Sequence, residues 1–268
     1  YIHHTVKNVE GLDDKTERQI DFYTRQYIDA MSPSNFLATN PEVLEKTVET
    51  RGQNLLRGLN NLLEDLERGG GKLNIRMTDP EAFEVGRDLA VTPGKVVAEN
   101  ELCQVIQYAP ATEEVCRRPV MFIPPWINKF YILDLRPKNS LIRYLVENGQ
   151  TVFTISWRNP DASLADKDFE DYMLDGVCFA MDAVEKATGE ADMNVVGYCL
   201  GGTLLAATLS YLQAKEDKRV NAATFFTALI DFEQPGELEV FIDEQQLEML
   251  ERQMNERGYL PGHQMAAT

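Results

Sequence analysis

Val195-Val196-Gly197-Tyr198-Cys199-Leu200-Gly201-Gly202 is the stretch whose reading decides the fold. The apolar run from Met193 to Val196 predicts a buried parallel strand. The Gly-x-Cys-x-Gly-Gly segment predicts a sharp turn, and Thr203 to Leu209, rich in Ala and Leu, predicts a helix. Strand, tight turn and helix in that order are the setting of a nucleophile elbow. Cysteine stands where most such turns carry serine.

The two arms of such a turn approach closely, so the positions two before and two after the nucleophile must be small. Gly197 and Gly201 meet that demand, and Gly202 extends it. The helix that follows places backbone N–H groups and the positive end of its dipole beside the sulfur. That favours negative charge there and lets the Leu200 N–H help bind an oxyanion. A buried structural cysteine in a glycine-containing turn would share some of these features. The second glycine, the apolar strand, the Ala/Leu-rich helix and two upstream strand–helix units favour catalysis.

Outward from the elbow, β-rich and helical periods alternate. Val96 to Ala98 and Leu102 to Tyr108 predict a strand pair, and Pro119 to Ile123 a short buried strand closed by Pro124-Pro125. Ser140 to Glu147 predicts a helix, Thr151 to Trp157 a strand, Phe169 to Ala187 a helix and Ala222 to Ile230 a last strand. Strands alternating with helices imply right-handed β-α-β units and a mostly parallel sheet. Ahead of them, residues 1 to about 90 read as helical, with Asn40-Pro41 a start signal. The stripe Leu44, Val48, Leu55, Leu59, Leu62, Leu63 and Leu66, which Gly69-Gly70-Gly71 ends, is read as a packing face. The expected organisation is a helical domain over 1–91, a catalytic core over 92–232 and the start of a helical cap over 233–268.

A thiolate attacking a thioester exchanges one thioester for another of nearly equal energy, whereas serine would form a more stable oxygen ester. Cysteine therefore suits an enzyme that accepts an acyl group and passes it to a nucleophile other than water. The second oxyanion donor is expected from the loop after the third strand, Pro124 to Lys129, through the N–H of Ile127 or Asn128.

The net charge of −17 argues against nonspecific nucleic-acid binding. Local cations for an anionic substrate would be Arg136, Lys138 and Arg158, unless these are solvated surface. The four cysteines form no C-x-x-C pair and no metal-ligand spacing with the three histidines, which suits a reducing cytosol. No run reaches 18 apolar residues, so no membrane span is expected. The chain starts at Tyr1 and ends at Thr268, and both ends look cut.

Residues 119–161, the box Gly197 to Thr203, the segment Val85 to Val97 and Leu229-Ile230-Asp231-Phe232 before Pro235-Gly236 resemble the poly(3-hydroxyalkanoate) synthase family, in its single-subunit form. The resemblance implies an α/β-hydrolase-like core behind a helical N-terminal domain. It implies polymerisation of 3-hydroxyacyl-CoA, short-chain 3-hydroxybutyryl-CoA foremost, with the chain carried on Cys199 and CoA released. It further implies a cytoplasmic homodimer at the surface of polyester granules, with no cofactor beyond the coenzyme A thioester that is the substrate. The triad of such folds runs nucleophile, acid, histidine. After Cys199 comes only His263, which follows no strand, and Asp231 comes one strand early. The last strands, with acid and base, are expected beyond Thr268, leaving this chain inactive alone. Two alternatives are a cysteine-nucleophile thioesterase or depolymerase and a noncatalytic granule-docking fragment.

Overall fold

The structure is a computed structural model and describes residues 11–79 and 81–262. His3, His4 and His263 lie outside the described residues. The chain divides into two compact units. The first runs through Ala82 and takes in Pro235–Gln246; the second comprises Phe83–Gln234 and the residues from Leu247 onward.

The first unit holds helices α1 (Asp14–Ala30), α2 (Pro41–Glu49) and α3 (Gln53–Arg68). The Asp13 carboxylate caps α1 by accepting the Lys15 and Thr16 N–H groups. The Asn40 side chain caps α2 by accepting the Val43 N–H at 3.2 Å, with Pro41 at the first helical position, where its missing N–H costs nothing. Phe22 of α1 meets Phe241 edge-on at 5.2 Å, and the Gln19 amide donates to the Val240 carbonyl at 3.2 Å. The α3 stripe departs from its expected packing role, since Leu55, Leu59 and Leu62 remain 41, 51 and 44% exposed. The helix ends at Arg68, where Gly69-Gly70-Gly71 follows it, and among the described residues no further helix precedes β1.

The second unit is built on strands β1 (Gly94–Glu99), β2 (Cys103–Tyr108), β3 (Val120–Ile123), β6 (Val152–Trp157), β7 (Met193–Tyr198) and β8 (Val220–Phe226). A separate hairpin, β4 (Asp134–Arg136) with β5 (Asn139–Ser140), lies between β3 and β6. The large sheet is ordered β1-β2-β6-β3-β7-β8. β1, β2 and β6 pair antiparallel, and β6, β3, β7 and β8 pair parallel. Side chains alternate across this sheet as period two requires. Met121, Ile123 and Val195 enter the core beneath α5 (Phe179–Thr188) and α6 (Leu200–Ala214), while Phe122 and Val196 enter the core beneath α4 (Leu141–Glu147).

Three boundaries differ from the sequence reading. The predicted helix over Phe169 to Ala187 contains a π-helical stretch, Tyr172–Cys178, before α5. β8 ends at Phe226 rather than Ile230, because Thr227 turns the chain at φ 45°. The helical cap expected to start over 233–268 divides into a 3₁₀ segment, Gly236–Phe241, and α7 (Glu244–Arg257), with Ile242 outside both. The β4–β5 hairpin is too short to show a period and was not predicted.

Candidate active site

Cys199 sits on the corner between β7 and α6 at φ 53°, ψ −124°. Positive φ is a conformation that side chains other than glycine rarely adopt. The surrounding backbone holds it there. The Cys199 N–H donates to the Phe226 carbonyl of β8 at 2.9 Å, and the Cys199 carbonyl accepts the Gly202 N–H at 2.8 Å and the Thr203 N–H at 3.2 Å.

The glycines around it are required by contact. A Cβ on Gly197 would lie 2.5 Å from the Gly202 Cα, one on Gly201 2.0 Å from the Ile123 carbonyl oxygen, and one on Gly202 2.4 Å from the Ala228 methyl. The turn is thus pressed at once against its own strand, against the end of β3 and against the segment after β8. The Thr203 hydroxyl secures that last contact by donating to the Leu229 carbonyl at 2.6 Å.

Leu200 opens α6, where the first N–H groups of a helix have no intrahelical partner. Its N–H makes no hydrogen bond among the described residues. In the loop after β3 the two amides singled out by the sequence differ. The Asn128 N–H is committed to the Pro125 carbonyl at 3.2 Å, closing a turn, whereas the Ile127 N–H has no partner among the described residues. Of the two, Ile127 is therefore the one whose N–H is left without a partner among the described residues.

The Cys199 side chain is half-buried and forms no hydrogen bond among the described residues, none of which is a histidine. Asp231 is exposed and its carboxylate accepts the Glu233 N–H at 2.9 Å, a local turn bond. Arg158 is occupied by Asp161 at 2.7 Å and by Ser163 at 3.1 Å. Arg136 and Lys138, at the β4–β5 hairpin, form no ion pair among the described residues. Among the described residues no group of three or more His, Cys, Asp or Glu could hold a metal ion, and no helix is long and apolar enough to cross a membrane.

One residue escaped the sequence reading. The Trp157 indole N–H donates to the Pro124 carbonyl at 2.7 Å, across 33 positions of sequence. Only its place at the end of a strand could have pointed to it.

A family profile described as the alpha/beta hydrolase fold matches residues 119–261. One described as the Poly-beta-hydroxybutyrate polymerase (PhaC) N-terminus matches residues 1–145. The chain belongs to the poly(3-hydroxyalkanoate) polymerase family. It is 53% identical over 261 residues to the poly(3-hydroxyalkanoate) polymerase of Methylorubrum extorquens, covering 97% of this chain and 43% of that protein. It is 51% identical over 261 residues to the polymerase subunit PhaC of Rhizobium etli, covering 97% of this chain and 41% of that protein. Against the PhaC subunit of Cupriavidus necator the identity is 46% over 239 residues, covering 89% of this chain and 40% of that protein. The chain therefore spans about two-fifths of the length of these curated relatives. In the large sheet, ordered first-second-fourth-third-fifth-sixth when its six strands are counted along the chain, the third to sixth strands lie within the residues that match the alpha/beta hydrolase fold.

Proposed function

We propose that these residues supply the nucleophile and the oxyanion donors of an acyltransferase that joins 3-hydroxyacyl-CoA units, 3-hydroxybutyryl-CoA foremost, into a polyester. The observation that carries this reading is the strained Cys199, with two N–H groups, that of Leu200 in the turn and that of Ile127 in the loop after β3, left without partners among the described residues. The Cys199 sulfur, once deprotonated, attacks the thioester carbonyl carbon. The carbonyl electron pair moves to oxygen, where the two N–H groups receive it. On collapse the bond to the coenzyme A sulfur breaks, and the departing thiolate takes up the proton lost by Cys199. The 3-hydroxyl oxygen of another unit then attacks the Cys199-bound acyl carbon. Its proton is removed by a base, an oxoester forms, and the cysteine sulfur is released to be protonated again.

The base is proposed to lie outside the described residues, which contain no histidine. Action as a homodimer, at a cytoplasmic granule surface, belongs to the same proposal and rests on the resemblance to the polymerases. Coenzyme A enters as part of the substrate, with no separate cofactor.

The test uses a full-length polymerase carrying these 268 residues, supplied with 3-hydroxybutyryl-CoA. Loss of thioester absorbance, polymer yield and the mass of the Cys199 peptide are followed together. An acyl adduct on that peptide with polymer formation is expected, and Cys199→Ala should abolish both. Polymer synthesis that survives Cys199→Ala overturns the reading, and free hydroxy acid in place of polymer selects the thioesterase alternative. The isolated chain is expected to give no sustained turnover; CoA release from it that Cys199→Ala removes would show that the base lies within it.

A further inference from the structure

Three strands lie side by side in the sheet order β6-β3-β7, paired parallel, so their C-terminal ends fall at one edge of the sheet. β7 leads into the Cys199 turn, β3 leads into the Pro124-Pro125-Trp126-Ile127 loop, and β6 ends on Trp157. The root of the β3 loop is held from two sides. From the β7 side, Gly201 fits so closely that a Cβ would lie 2.0 Å from the Ile123 oxygen and 2.9 Å from the Pro124 carbonyl carbon. From the β6 side, Trp157 donates its indole N–H to the Pro124 oxygen at 2.7 Å.

Trp157 is itself fixed. Its ring lies over Gly176 in the π-helical stretch, where a Cβ would fall 2.6 Å from two ring carbons. Tyr172, at the start of that stretch, meets the Trp157 ring at 5.3 Å and the Trp126 ring at 5.2 Å between centroids. Trp126 in turn meets Trp157 edge-on at 6.4 Å. A π-helical turn inserts a residue into a helix and costs hydrogen-bond geometry, so it persists where the surrounding packing requires it. Here the inserted stretch brings a residue without a side chain beneath the indole.

We infer that Trp157 is a positioning residue for acyl transfer: its N–H fixes the Pro124 carbonyl, and so the direction in which the Ile127 N–H of the same loop meets the oxyanion. Trp126, in the same loop, is held by its ring contacts with Trp157 and Tyr172. The inference rests on the proposed roles of Cys199 and the Ile127 N–H. An oxyanion donor acts on the transition state rather than on substrate binding, so its misplacement lowers kcat more than it raises KM.

The experiment again uses a full-length polymerase carrying these residues, with Trp157→Phe and with 3-benzothienylalanine at position 157. The second keeps the shape of the bicyclic ring and replaces the N–H by sulfur, so folding and packing are preserved. Both are expected to lower kcat for CoA release by about tenfold to a hundredfold with KM changed by less than about twofold. Gly176→Ala, which displaces the ring from below, should lower kcat in the same direction. If the benzothienyl protein retains the parent kcat, the indole N–H has no positioning role and the inference fails. A loss seen equally in kcat and the melting temperature, or only in KM, also overturns it. Cys199→Ala is run in parallel. Activity surviving in that variant defeats the catalytic reading itself, whereas an inactive Cys199→Ala beside an unaffected benzothienyl protein defeats only the role of Trp157.

Discussion

Gly201 lies against the carbonyl of Ile123 so closely that a Cβ on it would stand 2.0 Å from that oxygen. The first turn of α6 and the last residue of β3 thereby share one contact, which couples the cysteine turn to the loop that carries Ile127. Backbone atoms form both sides of it, so neither can rotate away as a side chain could.

Gly201→Ala is therefore expected to destabilise the second unit by about 3 kcal/mol, the upper end of overpacking costs. Gly202→Ala meets the Ala228 methyl instead, on a segment outside the strands, and is expected to cost about 1 kcal/mol. Urea denaturation of the two variants checks the order. A smaller loss for Gly201→Ala than for Gly202→Ala contradicts the close approach described.

Asp134 is almost wholly buried and ties three segments together. Its carboxylate accepts the Thr92 hydroxyl at 2.6 Å and the Ser140 hydroxyl at 2.5 Å, and Ser140 caps α4 by accepting the Arg143 N–H at 2.9 Å. Asp134→Ala leaves two hydroxyls without their acceptor and should cost about 2 kcal/mol or more, while Asp134→Asn, which keeps one carbonyl oxygen, should cost less. Thermal melts of the two variants measure it, and equal melting temperatures for Asp134→Ala and the parent would refute the role.

Asp161 is held down to about 2 from an ordinary 3.8, first by the Ser163 hydroxyl and backbone N–H and then by Arg158. A carboxyl with a lowered folded value stabilises the fold above its ordinary value and loses that contribution as pH falls toward about 2. A ¹³C carboxyl titration should place the Asp161 midpoint there. Ser163→Ala should raise it more than Arg158→Gln does. A midpoint near the ordinary value in the parent protein would contradict the hydrogen bonds drawn for this loop.

The cysteines should differ in reactivity by position. Burial, followed by the nearby Asp175 charge, pushes the Cys103 thiol up to about 12, so it stays protonated and enclosed at neutral pH. Cys116 is exposed and Cys199 half-buried. Iodoacetamide at pH 8 is expected to label Cys116 and Cys199 and to spare Cys103, as read by peptide mass spectrometry. Cys116→Ser should leave acyl loading unchanged. Labelling of Cys103 in the folded protein would overturn this assignment.

Much of the core is written locally. The Met193–Val196 run, the glycines around Cys199 and the Ala/Leu-rich segment after it specify strand, turn and helix through periodicity and steric demand, both of which act between near neighbours. Asn40-Pro41 specifies a helix start for the same reason. The π-helical stretch was not legible, because residues 169–187 carry an ordinary helical pattern and the Trp157 ring that packs against Gly176 within it comes from a strand distant in sequence. The β4–β5 hairpin was missed because strands of three and two residues carry no period.

The sequence by itself determined the sheet-and-helix core, the cysteine at its sharpest turn and the loop that faces it, because each follows from spacing within a few residues. Only the tertiary structure decided which amide of that loop is free, with Asn128 committed to Pro125 and Ile127 not. It alone joined Trp157 to Pro124 and Gly201 to Ile123. These contacts span 33 and 78 positions of the chain. They exist because parallel strands β6, β3 and β7 end side by side, a juxtaposition created by sheet order rather than by any local pattern.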